Sequence, residues 1–303
     1  MPNIFCRFHR ILLNLAVYAV GVVGCGAPTG DLVELLDHPD HGVRMRASQK
    51  LVNRRGGAVD ELIEATRVGG DTTRFIAAQI LGRIGDPSAA LPLTCLLIDA
   101  HPHVRERAAE ALGVLGDTLA VAPLIHTLKD SAKNVRAAVA LSLGKLWTSQ
   151  GLPEPGNSPQ ALIPVMALAD DVSPEVRANA LAALYEFHTA GVDTQMVVLY
   201  LGSLSDHDSQ VRFVAVQALG NLGALFEIGG AEVVRKLILR LSDTTESVQK
   251  AAFRSLIQLG EDAVIPLETL FSISEGDMQS VARRLLETIT GQPYALVDEI
   301  PAE

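Results

Sequence analysis

Cysteine and aromatic side chains are both scarce in this 303-residue chain, which has three Cys, one Trp and only 4% Phe, Trp and Tyr. Three thiols cannot build the disulfide framework of a small secreted scaffold, nor a four-thiolate zinc site. Few aromatics also leave little material for stacking on nucleic-acid bases. Positive charge is short as well, with 25 Lys and Arg against 35 Asp and Glu and a net charge of −10. That balance disfavours nucleic acid and anionic membrane surfaces as partners. Apolar residues nevertheless make up 48% of the sequence. A core tiled by Ala, Leu and Val, with close helix–helix packing, accounts for such a composition.

The first residues stand apart. Arg7 and Arg10 precede an apolar run from Ile11 to Val23, and Val22-Val23-Gly24-Cys25 follows at once. The run is shorter than the roughly 20 residues of a spanning helix, so residues 1–24 are expected to be a secretory signal peptide. Its end resembles the lipobox of bacterial lipoproteins, and that resemblance implies lipidation at Cys25, with Val22 where the family prefers Leu. Removal of the signal takes Arg7 and Arg10 but no acid, moving the net charge from −10 to about −12. Residues 25–30 would then be a lipidated tether of at most about 18 Å. Cys6 leaves with the signal, and Cys95, among Leu93, Leu96 and Leu97, is expected to be a small core residue.

What the rest of the chain has is repetition. Seven times, a Val or Thr is followed by Ala or Val four residues later and Leu eight residues later. The copies start at Val43, Thr73, Val104, Val135, Val176, Val211 and Val248 and reach Leu51, Leu81, Leu112, Leu143, Leu184, Leu219 and Leu256. Steps of four place the three positions on one stripe of a helix. A period of 30 to 41 residues with that internal spacing predicts an all-α, right-handed α-solenoid of helical hairpins. An Asp five residues before the word, at Asp99, Asp130, Asp171, Asp206 and Asp243, is placed to accept hydrogen bonds at the next helix start. It can also pair with Arg105, Arg136, Arg177 or Arg212. Gly82, Gly113, Gly144 and Gly220 follow the Leu and are expected near helix ends. Pro102 and Pro174 fit first helical turns.

The set Asp130, Val135-Arg136, Val139 and Leu143-Gly144, with its copies, resembles HEAT repeats, especially the short variety associated with phycobilisome lyases. The resemblance covers about Asp31 to Gly291 and implies seven to eight hairpins, the last a degenerate unit with Val281, Leu285 and Ile289. It also implies that the Asp/Arg sets form an inter-repeat structural ladder. Residues 148–158 are expected to be an inserted loop within the 31–291 solenoid, and 292–303 an acidic C-terminal tail.

Chemistry is thinly supported. A catalytic residue in every repeat makes little sense, because a reaction needs one converged constellation. His38 with His41 and His101 with His103 supply two potential ligands each, fewer than a zinc site needs. No His precedes a Glu, which argues against the iron-dependent HEAT-like hydroxylases, and no phosphate loop or nucleophile elbow is present. No cofactor, metal or catalytic residue is therefore expected. A bilin-lyase-like or chaperone-like assembly factor is the alternative the resemblance leaves open.

A binding surface is the better expectation. Positions three, six and ten after the word's first residue are expected to point outward on a concave face. Positions six and ten are mostly polar, Gln217 among them, but Leu141 and Ala182 break the row at position six, beside Ala138, Phe213 and Val214 and level with Trp147. These seven residues are the candidate partner site. The reading is a scaffold anchored through its N-terminal lipid in a bacterial cell envelope, with another protein as partner and no nucleic acid.

Overall fold

The computed structural model describes residues 27–149, 160–190, 194–226 and 230–294, so the signal, Cys25, most of the inserted loop and residues 295–303 lie outside it. The chain divides into two compact units, Met1–Gln150 and Gly151–Glu303. Among the described residues every regular element is helical. In the first unit four hairpins pair α1 (Thr29–Glu34) with α2 (His41–Arg54), α3 (Val59–Val68) with α4 (Asp71–Ile84), α5 (Ala90–Cys95) with α6 (Pro102–Leu115), and α7 (Val121–Thr127) with α8 (Lys133–Ser149). The second unit pairs α9 (Leu162–Met166) with α10 (Pro174–Glu186), α11 (Thr194–Ser203) with α12 (Ser209–Phe226), α13 (Ala231–Arg240) with α14 (Glu246–Leu259), and α15 (Val264–Ile273) with α16 (Gly276–Thr290).

The repeated word builds the core of each hairpin. Every Val, Ala and Leu of the seven copies is buried, as are Thr73 and Val139, and Leu51, Leu81, Leu112, Leu184 and Leu256 are wholly inaccessible. Each such Leu contributes about 1.5–3 kcal/mol of burial. The eighth copy slips: Ala282, Leu285 and Leu286 are buried, while Val281 and Ile289 are half-exposed.

Several first helices are shorter than the apolar pattern suggests, because 3-10 turns flank them, as at Pro87–Ala89 and Leu96–Ile98 around α5. Gly85 and Gly116 end α4 and α6 in the left-handed conformation (φ 75° and 78°). The Asp that follows each, Asp86 or Asp117, caps the next turn by accepting from the Ser88 or Leu119 N–H at 3.0 and 2.9 Å. Pro102 and Pro174 open α6 and α10, where no helical N–H is lost.

The glycines after the Leu are not helix ends. Gly82, Gly113 and Gly220 lie inside α4, α6 and α12, which continue past them. A Cβ on Gly82 would stand 2.8 Å from Ala111 Cβ, and one on Gly113 2.8 Å from Ser142 Cα. On Gly220 it would meet Ser255 Oγ at 2.3 Å and Cβ at 2.5 Å. Successive second helices approach backbone to backbone there, and only the missing side chain permits it.

Cys95 is exposed, not a core residue. The buried stripe of its segment runs through Ala90, Leu93 and Leu97, and Cys95, two residues past Leu93, is turned about 200° away. At the start of the chain, helix begins at Thr29, two residues earlier than expected. Arg54 fixes the segment before it, donating to Thr29 Oγ1 at 2.7 Å and to the Ala27 carbonyl. At the other end, Tyr294 of the expected tail folds back, its hydroxyl 2.8 Å from Glu268 Oε1 and its ring edge-on to Phe271.

Candidate functional site

The turn between the helices of a hairpin must satisfy backbone groups that neither helix can reach. An Asp and an Arg do this together. Asp99 Oδ1 accepts the His101 N–H at 2.8 Å, and the equivalent bond joins Asp130 to Ala132, Asp171 to Ser173, Asp206 to Asp208 and Asp243 to Thr245 at 2.8 to 3.0 Å. The Arg that opens the second helix turns its Nη1 back to its own turn, as Arg105 does to the Asp99 carbonyl at 2.7 Å. Arg136, Arg177 and Arg212 repeat this contact with the carbonyls of Asp130, Asp171 and Asp206 at 2.8 to 2.9 Å.

The other two guanidinium nitrogens reach the next hairpin. Arg105 Nε and Nη2 bind the two carboxylate oxygens of Asp130 at 2.7 and 2.8 Å. Arg177 forks onto Asp206 at 2.8 and 2.7 Å, and Arg212 onto Asp243 at 2.9 and 2.8 Å. Arg74, absent from the expected set because its word begins with Thr73, makes the same fork with Asp99 at 2.6 and 3.0 Å. An Asp side chain thus pairs with the Arg of the preceding hairpin, while its main-chain carbonyl binds the Arg of its own.

The forks set the charge state. Burial raises the pKa of Asp99, Asp130 and Asp206, but hydrogen bonds from the Arg and the turn N–H outweigh it and leave each lowered. For Asp243 the Arg212 bond is the leading effect, and its pKa is lowered too. Arg74, Arg105, Arg177 and Arg212 are raised by their Asp partners. Locked in charged form and spent on hydrogen bonds, these groups are poor proton-transfer agents. The Tyr200 phenol is pushed up by burial and donates to the Leu181 carbonyl at 3.0 Å.

The candidate partner residues divide between the units. In the first, Leu141 and Trp147 on α8 are half-buried, and Leu141 stands at the register of Gln49, Gln79 and Glu110 on the preceding second helices. In the second, Ala182 on α10 and Phe213 and Val214 on α12 are half-buried, and Gln217 is exposed. Ala138 does not point outward: it is 7% exposed, one turn from Ser142, on the side of α8 that meets Gly113 of α6. On α4, α6 and α8 this side faces the neighbouring hairpin, so Ala138 does not line a groove.

A cleft of about 580 Å³ that the repeat pattern did not reveal opens in the first unit between α3 and α5. Ile63, Arg67, Leu91, Cys95 and Asp99 are among its lining residues. The signal for it lay in Leu91, which sits on the exposed side of α5 at 74%. Among the described residues no group of three or more His, Cys, Asp and Glu is arranged to hold a metal ion. None of the described helices is long and apolar enough to cross a membrane.

Comparison with known proteins agrees with this architecture. Residues 91–185 match the family model for HEAT repeats. The Escherichia coli protein YibA is 20% identical, covers 91% of this chain and 95% of its own, and superposes with a TM-score of 0.61. A chain from the structure of Kap95p with RanGDP is 14% identical, with 87% of this chain and 41% of that one covered, at a TM-score of 0.61. The CpcE–CpcF complex of phycocyanin lyase from Nostoc is 22% identical over 88% of this chain and 96% of its own, at a TM-score of 0.44. No curated protein sequence matches the chain. The chain has the fold of HEAT-repeat proteins, and identities this low carry the fold alone.

Proposed function

We propose that the chain is a non-catalytic scaffold, held at a bacterial cell envelope by lipid on Cys25, that binds another protein through the exposed face of its second helices. The observation that carries this reading is a division of labour along each second helix. The word is consumed by the core, and the Asp and Arg groups by the turns. At positions six and ten after the word's start Gln49, Gln79, Gln217, Asn53, Arg83 and Gln258 stay exposed at the surface. Leu141 and Ala182 break that polar row, and Phe213 lies beside it, adding apolar area of the kind that favours a peptide or helix over water. The basic start, the short apolar run and the Gly24-Cys25 pair support the anchor.

Two measurements test the two halves separately. Mass spectrometry of the protein from membranes reads the Cys25 adduct, and an intact N-terminus without lipid would remove the anchor. In-cell crosslinking identifies the partner, and Leu141→Asp and Phe213→Asp are each expected to abolish its capture while circular dichroism stays unchanged. Undiminished capture by both variants would move the binding face elsewhere.

A further inference from the structure

A stripe that serves hairpin stacking in the later repeats of the first unit is basic in its first. On α4, α6 and α8 the positions three and seven after the word's start are Ile76 and Ile80, Arg107 and Ala111, and Ala138 and Ser142; all but half-buried Arg107 are buried. The stripe faces the preceding hairpin, since Ala111 and Ser142 are the residues that Gly82 and Gly113 admit. On α2 the same positions are exposed Arg46 and half-buried Lys50, with half-buried Arg54 one turn further on. Exposed Arg55 adds a further charge. Between His41 and Ala58 the chain places five of its 25 Lys and Arg and none of its 35 Asp and Glu. Asp31 and Glu34 lie on α1, and Arg46 feels Asp40 at the start of α2, so the positive face is that of α2 toward Arg54 and Arg55.

The chain enters the folded unit at this same end. Arg54 holds Thr29 Oγ1 and the Ala27 carbonyl, and Thr29 Oγ1 donates to the Gly57 carbonyl at 3.4 Å. Cys25 is two residues before Ala27, at most about 7 Å of extended chain. Where Cys25 is lipidated, the surface within reach of this face is therefore the bilayer itself.

We propose that the Arg46–Lys50–Arg54 face of α2, with Arg55, docks on anionic phospholipid headgroups; this rests on Cys25 as the membrane anchor. The lipid holds the protein at the membrane, and the basic face sets which end meets it. The rest of the chain is strongly acidic and is repelled from the same headgroups, which reinforces one orientation.

The test is hydrogen exchange on the full protein purified from membranes and reconstituted into neutral phosphatidylcholine vesicles or vesicles containing phosphatidylglycerol. Amides of residues 41–58 are expected to exchange more slowly in the anionic vesicles only. Raising the salt from about 0.1 M to about 1 M, which shortens screening from ~10 Å to ~3 Å, is expected to remove that protection. Arg46→Glu with Arg55→Glu removes it at low salt, whereas Arg235→Glu with Lys236→Glu, exposed on α13, leaves it intact. Equal exchange in both vesicle types overturns the proposal. So does equal protection by soluble poly-glutamate, which would reassign the face to an acidic protein. Mass spectrometry of the same preparation reads the lipid on Cys25 directly, so failure of the anchor and failure of the docking face give different results.

Discussion

Each unit contains Arg–Asp forks of the same connectivity, two among its described residues, yet they are not equal. In the first unit Arg74 and Asp99 are 19% and 8% exposed at their side chains, whereas in the second Arg212 and Asp243 are 9% and 3%. Asp243 also has Arg240 at 3.5 Å, and Thr244 and Thr245 hydroxyls lie 3.5 Å from Arg212 Nη2. Depth decides what such a pair is worth. Where water reaches part of the pair, the remaining charge is partly resolvated and less stability goes with it. Where it cannot, the survivor is left buried and unpaired. One sequence word therefore writes both a modest contact and a critical one.

The comparison breaks first at the arginines. Arg212→Ala is expected to cost about 3–5 kcal/mol, measured by urea denaturation, because it strands Asp243. Arg74→Ala is expected to cost about 1.5–3 kcal/mol, the scale of hydrogen bonds to a charged group. Equal losses at the two sites would show that depth does not set the difference. The glycine contacts come next. Gly220→Ala drives a methyl into Ser255, and Gly82→Ala one into Ala111; overpacking of this kind costs about 1–3 kcal/mol, with Gly220 at the upper end. Restoring space with Ser255→Gly should recover part of the first loss, and a double variant no better than the single would discount the contact.

Acid sharpens the comparison more gently. The ladder carboxylates are lowered from the ordinary range near 4, so their stabilisation is complete above that range and fades as pH falls through their folded values. Chemical denaturation midpoints should hold from pH 7 to about 5 and decline below about 4. Asp243→Asn should flatten that decline, and an unchanged slope would place the acid sensitivity elsewhere. The smallest effect belongs to Cys95: with Cys6 and Cys25 replaced by Ser, its thiol should react with a disulfide reagent in the native state. Cys95→Ser should shift stability by less than about 0.5 kcal/mol, as for a surface position. A thiol that reacts only after unfolding would return it to the core.

Most of the hairpin architecture was legible because its signal is repeated. Val, Ala and Leu at steps of four specify the side of the second helix that meets its own partner, and seven copies average out local exceptions. The spacing does not specify the angle at which one hairpin meets the next. That omission is why Gly82 and Gly113 looked like helix ends when they are points of close approach, and why Ala138 looked exposed. The true ends, Gly85 and Gly116, sit three residues later, ahead of an Asp, a turn signature hidden by the stronger word. Cys95 was misplaced for a related reason: its neighbours in sequence are apolar, but α5 is too short for composition to outweigh the 100° step per residue. The Asp and Arg positions were visible, whereas the two-way grip of each guanidinium was not, since sequence shows which groups can pair and not how many partners one group takes.

That grip has a consequence for how such chains change. Forks among the described residues join positions 25, 25, 29 and 31 apart, yet all close with the same two bonds. Extra residues between rungs are absorbed by the helices and loops that separate them and never reach the joint. The ladder thus acts as a standard coupling between interchangeable parts. A hairpin can be lengthened, shortened or exchanged for another without redesigning its neighbours, so long as it presents one arginine forward and one aspartate back.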